Sequence, residues 1–310
     1  MYFPYLRGRQ FELIALRELL DNNLIGQKVI PIIEPVKPTS TLAKTLKLYT
    51  EKCHAHALIM NPEVGEFVSK IKEKRQEKDS VADEIYNNLT SNYLIKGYLM
   101  KKTTPAHLAN NQNLDQLMIV SPKRDCLDDY IKIYNKTEPL YSLLPDDRTF
   151  CRKAPSSKVL FMDRFEKAQK NADYCKNVDE FFSEDHLFFD TEGFKGFSDY
   201  SIIGSDYNES GFAPLAVAIH IVYLGTNKEL RVHHFVSDSN IDYNDPAGKF
   251  GEAVRKLAQW VEENNPCHTL GLDMLLEYEK SGKYPGLGTV KKYSIMHHLE
   301  LINKYLEGEI

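Results

Sequence analysis

Basic and polar side chains follow several short apolar runs of this sequence, and their types suit the binding of an anion. Arg7 and Arg9 follow the first run, Glu34 follows an all-apolar run at 29–33, and Asn61 follows the run at 56–60. Two guanidinium groups can neutralise a phosphate or carboxylate, and an amide can donate to or accept from the same ligand. We therefore predict Arg7, Arg9 and Asn61 as ligand-binding residues.

Acidic side chains occupy similar positions and suggest a second chemistry. Glu34 ends one apolar run, and Asp190 and Glu192 follow another at 187–189. Carboxylate oxygens are the usual ligands of hard divalent cations, so Glu34, Asp190 and Glu192 form a candidate site for Mg²⁺ or Mn²⁺. Glu34 and Asp190 are also candidate catalytic carboxylates. No further metal signature supports this set, and the adjacent histidine pairs do not have the spacing of a metal-binding motif.

The apolar runs themselves predict the elements that position these residues. Runs that are apolar on both faces alternate with segments of helical periodicity, as in a parallel sheet that is buried between layers. The predicted strands end near Leu6, Ile33, Met60, Met100, Val120, Leu144, Met162 and Phe189. Eight such strands with intervening helices predict an α/β fold, a TIM-like (β/α)8 barrel.

The pattern changes after Gly193. Two apolar runs, 215–224 and 230–236, flank Gly225-Thr226-Asn227 and predict a β-hairpin. Helical patterns then begin at Pro246 and at Val290. We therefore expect a barrel at 1–205, and a hairpin with a helical extension at 206–310 that packs on the barrel.

This fold predicts where the chemistry lies. Functional groups of such barrels occupy the C-terminal ends of the strands and the loops that follow them. Strands one, two and eight are neighbours in a closed barrel, so Arg7, Glu34 and Asp190 should converge at one mouth. We expect Glu34 to be partly solvated there, paired with an arginine or a cation.

Other function classes lack their signatures. The sequence has no GxxxxGK[ST] loop, no GxSxG elbow and no GxGxxG after a strand, which disfavours P-loop, serine-hydrolase and dinucleotide-binding chemistry. The net charge of −5 disfavours direct binding of the protein to nucleic acid. Five cysteines without a CxxC pair, and no apolar stretch long enough to span a bilayer, predict a cytoplasmic protein without a membrane role.

Three short motifs resemble the phage T4 beta-protein-like family. They are Tyr5-Leu6-Arg7-Gly8-Arg9 followed by Glu12 and Ala15-Leu16, then Pro31-Ile32-Ile33-Glu34, and Gly196-Phe197-Ser198-Asp199-Tyr200. The opening is similar to a subfamily of uncharacterised bacterial proteins met near predicted nucleases in mobile or defence-related gene clusters. The resemblance covers about residues 1–205 and implies a TIM-barrel-like fold, for a family with no established activity.

The motif positions add two site residues. The resemblance implies roles for Arg7, Arg9, Glu12, Glu34, Ser198, Asp199 and Tyr200. We predict Asp199 at the mouth, as a catalytic carboxylate or as a group that orients an arginine. Tyr200 would bind the ligand through its phenolic hydroxyl.

Two functions follow from these expectations. The first is a component of a phage-defence or mobile-element-encoded system that recognises a protein partner, such as a nuclease encoded nearby, or a phage-derived ligand through the barrel mouth. The alternative is a metal-dependent phosphoesterase or phosphodiesterase, in which Glu34, Asp190 and Glu192 hold Mg²⁺ or Mn²⁺ and the arginines neutralise phosphate. The sequence leaves open whether the protein is an enzyme.

Overall fold

The chain folds as a mixed α/β protein around a parallel barrel. The computed structural model describes residues 1–108, 116–134, 138–154, 156–208 and 214–310. Its eight parallel barrel strands, each paired with the next in this order, are β1 (Tyr5–Leu6), β2 (Ile32–Ile33), β3 (His56–Ile59), β4 (Leu94–Leu99), β5 (Leu117–Val120), β6 (Tyr141–Leu144), β7 (Lys158–Phe161) and β9 (Gly196–Ser198). The predicted TIM-like (β/α)8 barrel is confirmed.

Hydrogen bonds between β9 and the segment that contains β1 join the two ends of the sheet. The Phe197 N–H donates to Met1 O (3.0 Å), the Phe3 N–H donates to Phe197 O (2.9 Å), and the Tyr5 N–H donates to Asp199 O (2.8 Å). Gly196 allows this approach, because a Cβ on it would lie 2.3 Å from Met1 O. The first two strands and the last strand are therefore neighbours, as closure requires.

The eighth barrel strand differs from the prediction. Residues 187–189 are not a strand: they fall in and just after a short helix, α8 (Asp185–Phe188), and β9 supplies the eighth strand. The Phe189 ring packs 5.5 Å from Phe197 on the outside of the barrel. The apolar character of residues 187–189 comes from this packing and not from a strand. Strand β9 begins with Gly196, which the close approach to Met1 requires, so its sequence is less apolar than that of the other barrel strands.

A second sheet has three antiparallel strands in the order β10-β11-β8, and it combines the predicted hairpin with a strand from earlier in the chain. These strands are β8 (Asp179–Ser183), β10 (Ala218–Leu224) and β11 (Leu230–Val236). Because β8 lies between two barrel strands in sequence, the second sheet is covalently attached to the barrel on both sides.

The other helices cover the barrel and extend it. They are α1 (Gln10–Asp21), α2 (Ser40–Glu51), α3 (Phe67–Gln76), α4 (Ser80–Asn88), α5 (Thr104–Leu108), α6 (Leu127–Tyr134), α7 (Arg148–Lys153), α9 (Pro246–Asn264), α10 (Leu270–Ser281) and α11 (Leu287–Glu307). The extension thus has three helices, one more than the sequence indicated. No helix in the described ranges has the length and apolar content needed to cross a bilayer.

Helix α11 connects the extension to the barrel. It packs on α1 and on β10, and the Lys292 Nζ donates to both carboxylate oxygens of Glu18 on α1 (2.7 and 2.8 Å).

Alternation along the strands points Tyr5, Ile32 and Ile59 into the barrel, where they belong to one buried apolar cluster. Two positions further along each strand, Arg7, Glu34 and Asn61 also face inward, at the C-terminal mouth of the barrel.

Candidate functional site

Glu34 lies at this mouth as a buried, fully hydrogen-bonded carboxylate. It follows Ile32 by two positions and has 0% exposure. Its Oε2 accepts from the Tyr5 hydroxyl (2.8 Å) and from the Arg7 guanidinium, and its Oε1 accepts from the Glu63 N–H (2.7 Å). Both oxygens are therefore used by the protein, in contrast to the expected partly solvated group.

Arg7 spans from this carboxylate to the loop after β9. Its Nη2 donates to Ser205 O, and its guanidinium lies 5.4 Å from the Tyr5 ring centroid and 5.2 Å from that of Tyr200. Burial opposes the charge of Arg7, but Glu34 and the two tyrosines raise its pKa above the ordinary value. Within the described residues its Nε has no hydrogen-bond partner.

Tyr200 belongs to the aromatic floor of the mouth. Its ring centroid lies 5.1 Å from that of Tyr5 and 5.0 Å from that of Phe161. Burial raises the pKa of Tyr200, and Arg7 opposes this shift. Its hydroxyl therefore stays protonated at neutral pH and can both donate and accept a hydrogen bond.

Asn61 reaches the mouth but is bound to the backbone of the neighbouring strand. Its Oδ1 accepts from the Leu99 N–H (2.8 Å) and its Nδ2 donates to Leu99 O (2.9 Å). These bonds extend the pairing with β4 beyond the last residue of β3. They occupy the amide, which the sequence had suggested for a ligand.

Asp199 does not face the mouth. Side chains alternate along a strand, so Asp199 points outward when Tyr200 points inward. Its Oδ1 accepts from the Tyr2 hydroxyl (2.8 Å) and the Ser201 N–H (2.7 Å). Burial raises the pKa of Asp199 to about 7, although these two hydrogen bonds oppose the shift. The expected convergence thus holds for Arg7 and Glu34 but not for Asp199.

Asp190 and Glu192 lie at the other end of the barrel. They are exposed in the turn after α8, and the charge of Asp190 acts on the amino group of Met1, which precedes β1. The predicted metal set of Glu34, Asp190 and Glu192 is therefore not assembled. Among the described residues no group of three or more His, Cys, Asp or Glu side chains has the geometry to hold a metal ion.

A cavity of about 320 Å³ opens beside the mouth. Its walls come from the loop after β1 (Arg7 and Arg9), from residues within 165–171 after β7 and 202–208 after β9, from Pro214, Ala218 and His220 at β10, and from Leu287, Val290, Lys291 and Ser294 of α11. In TIM barrels the loops after the seventh and eighth strands are a frequent phosphate-binding position. We call this cavity the basic pocket.

Among the described residues, four cations line the basic pocket, against one carboxylate, that of Asp206. They are Arg7, Arg9, Lys167 and Lys291. Arg9 donates to Asn208 O and lies 4.7 Å from the Tyr207 ring centroid, and the Lys167 Nζ donates to Asp206 O (3.4 Å). Arg7, Arg9 and Lys167 thus each donate to a backbone carbonyl of the loop after β9. Arg7 is also paired with Glu34.

Lys291 is the exception. Nowhere in the described ranges does its ammonium have a hydrogen-bond or ion-pair partner. Burial lowers its pKa, Arg9 and Lys167 lower it further, and Glu12 opposes them. Glu12 is itself buried at the start of α1, and its Oε1 has no partner in the described part of the chain. Lys291 is half-buried, and a cation that loses hydration beside other cations is costly unless an anion compensates it.

Sequence reasoning missed Lys291, although a signal was present. The apolar stripe of the last helix runs through Ile295, Leu299, Ile302 and Leu306, and Lys291 lies four residues before Ile295 on the same stripe. A lysine in line with a buried face is a candidate functional cation. Nothing in the sequence indicated that this end of the stripe leaves the core and meets Arg9.

No family model, no curated protein and no solved structure matches this chain. The site is therefore interpreted from its own geometry.

Proposed function

We propose that this protein is a recognition component that binds a small phosphate-bearing ligand in the basic pocket. The observation that carries the proposal is the convergence of Arg7, Arg9 and Lys291 on one cavity, where Lys291 has no ion-pair partner among the described residues. The volume of about 320 Å³ lies at the lower end of the range for small-molecule pockets.

Electrostatics favours an anion over a neutral ligand. Lys291 loses hydration in the folded state and gains no hydrogen-bond or ion-pair partner among the described residues, and Glu12 offsets this only in part, so an anion would supply the missing interaction. A dianionic phosphate would also shield the cations from one another. The first turn of α11, which borders the pocket, has no acidic residue and no side-chain cap, so the positive end of its dipole acts in the same direction.

The biological setting of the proposal comes from the sequence resemblance. It implies a phage-defence or mobile-element-encoded system in which the ligand is phage-derived and a nuclease encoded nearby is the partner. An edge strand suits such a partner, because Val178 and Phe181, at and beside the start of β8, are 45% and 51% exposed. Exposed apolar side chains on an unpaired strand edge favour contact with another protein.

The metal-dependent phosphoesterase has less support. Glu34 is occupied by Tyr5, Arg7 and the Glu63 N–H, and Asp190 and Glu192 are at the opposite end of the barrel. The residues that were to hold the cation therefore do not fit one.

Phosphate binding tests the proposal. We expect inorganic phosphate and glycerol 3-phosphate to raise the melting temperature of the wild type, because a ligand of the folded state stabilises it. Lys291→Met should weaken both ligands about tenfold or more, which corresponds to at least about 1.4 kcal/mol. Lys280→Met, an exposed lysine on α10, is the matched control and should bind as the wild type does.

Stability measurements separate a binding defect from misfolding. Since Lys291 is a half-buried cation without a hydrogen-bond or ion-pair partner in the described residues, Lys291→Met should unfold at the same or a higher urea concentration than the wild type. Equal phosphate affinity in the wild type and in Lys291→Met would overturn the proposal.

The partner is tested by co-purification. Wild-type protein should retain the product of the neighbouring nuclease gene, and Phe181→Asp should lose it while keeping phosphate binding. Retention by both proteins would exclude the β8 edge as the interface, and retention by neither would reject the partner.

A further inference from the structure

A line of three polar side chains crosses the second sheet and ends in the basic pocket. His220 on β10 is the register partner of His234 on β11, and their Nδ1 atoms lie 2.7 Å apart. The His234 Nε2 lies 3.2 Å from Glu180 Oε1 on β8. Glu180 Oε2 accepts from the Asn177 Nδ2 (2.8 Å). The line thus runs from the pocket wall to the partly exposed Glu180.

Aromatic rings fix the two imidazoles. The Tyr174 ring lies 4.7 Å from His220 and 4.4 Å from His234, and the Phe165 ring lies 5.1 Å from His220. These contacts leave little freedom for either histidine to rotate. The hydrogen-bond directions are therefore set by protonation and not by rotation.

The partners determine which nitrogen of each ring carries the proton. Ionised Glu180 can only accept, so His234 donates from Nε2 and its Nδ1 is a bare acceptor. His220 must then donate from Nδ1 to His234 Nδ1, which leaves the Nε2 of His220 without a proton. This assignment follows from the hydrogen-bond network, since both histidines are neutral.

Their surroundings keep both rings neutral. Burial lowers the pKa of His220 well below its ordinary value, and His234 and Lys291 act in the same direction. Burial lowers the pKa of His234 to about 4, with His233 in the same direction and Asp179 opposing. Burial and the neighbouring Glu166 raise the pKa of Glu180 above its ordinary value.

The bare nitrogen belongs to a residue of the pocket wall. His220 lines the cavity, is only partly buried, and has His234 as its one hydrogen-bond partner among the described residues. Lys291 of the same cavity is close enough to act on its charge. An acceptor thus lies beside a group of cations, in a space that one small ligand would fill.

We propose that His220 Nε2 accepts a hydrogen bond from a hydroxyl group of the bound ligand, so that the pocket selects a hydroxylated phosphate ester, such as a polyol or sugar phosphate. Glu180 and His234 act as positioning residues that hold His220 in the accepting tautomer. This inference rests on the proposed phosphate binding and specifies the ligand class of that site.

Two ligands of equal chain length test the selection. Glycerol 3-phosphate carries hydroxyl groups, and n-propyl phosphate has the same carbon chain and phosphate without them. We expect the wild type to bind glycerol 3-phosphate at least about tenfold more tightly, because a buried acceptor left unpaired penalises the analogue. His220→Leu should bind both equally, and the exposed His268→Gln control should keep the preference.

Glu180→Gln tests the line of hydrogen bonds from a distance. The Asn177 NH₂ can only donate, so the new amide oxygen is favoured at the position of Oε2 and its NH₂ should face His234. That NH₂ donates to His234 Nε2, the tautomers of both histidines reverse, and His220 Nε2 becomes a donor. A ligand hydroxyl can accept from this N–H as well as donate to a bare nitrogen, so the reversal is measured by the ¹⁵N spectrum of His220, which should show a protonated Nε2.

The outcomes distinguish this inference from the proposed function. Equal binding of both ligands by the wild type would overturn the role of His220 and leave phosphate binding intact. Binding of neither ligand would overturn both. An unchanged ¹⁵N spectrum of His220 in Glu180→Gln would overturn the positioning role even if His220→Leu failed to fold.

Discussion

Arg7 and the buried Glu34 form an ion pair across the first two strands of the barrel, at its C-terminal mouth. Each follows an inward-facing residue by two positions, so the strand register alone brings them together. The pair anchors Arg7, which also borders the basic pocket. A structural bond at the mouth thus orients a residue of the proposed binding site.

Glu34→Ala should therefore destabilise the fold. Removing the carboxylate leaves a buried guanidinium without its counter-charge, which costs about 3 to 5 kcal/mol. Urea unfolding measures the loss, and Glu63→Ala is the control, because Glu63 contributes its backbone N–H and its exposed side chain does not contact Glu34. A Glu34→Ala protein as stable as the wild type would indicate the partly solvated, functional carboxylate that the sequence suggested.

Gly8 links this pair to Arg9, and Gly8→Ala should disturb both. Gly8 has φ +62°, and an added Cβ would lie 3.0 Å from Glu34 O. The left-handed conformation and the contact together should cost about 1 to 3 kcal/mol. Gly282→Ala shares the conformational cost, with φ +65°, but has open space around the added Cβ. Equal losses of stability in the two variants would show that the approach to Glu34 has no energetic effect.

Much of the barrel could be predicted because its strands are buried on both faces. The run at 29–33 and the run at 117–120 contain no charged residue, so the sequence alone marks them as buried strands. The eighth strand could not be found in this way. It is three residues long, and its Ser198 hydroxyl donates to Phe3 O (2.6 Å), so backbone and polar contacts replace the apolar pattern.

The candidate site was predictable only where it depends on the barrel register. Arg7 and Glu34 follow neighbouring strands, so their contact follows from the fold. Asp199 and Tyr200 are adjacent, and alternation directs only one of them to the mouth. Lys291 and His220 come to the pocket because α11 and the second sheet fold back over the barrel. That packing depends on tertiary contacts about 280 residues apart in the case of Arg9 and Lys291, which no local pattern encodes.

Asp199 should make the stability depend on pH. Its pKa is about 7 in the folded protein and about 4 in the unfolded chain, so between these values the folded state binds more protons. Stability from this group is full below about pH 4 and falls by up to about 4 kcal/mol as the pH rises through 7. Asp199→Asn cannot ionise and should gain stability relative to the wild type across this range.

Urea melts of both proteins between pH 4 and pH 8 measure this difference. The exposed Asp21→Asn control should show no such trend relative to the wild type. A constant difference between Asp199→Asn and the wild type would mean that the carboxylate keeps its ordinary pKa despite its burial.

Divalent cations and phosphate should affect the melting temperature differently. The oxygens of Glu34 already accept from Tyr5, Arg7 and the Glu63 N–H, so a cation would have to displace a guanidinium to bind there. We expect Mg²⁺, Mn²⁺ or Ca²⁺ to leave the wild-type melting temperature unchanged. Phosphate at a hundred times its Kd should add about 2.7 kcal/mol to the stability. If a cation instead raised the melting temperature, and Glu34→Gln abolished that rise, the carboxylate would have to exchange Arg7 for the metal, and the phosphoesterase alternative would be restored.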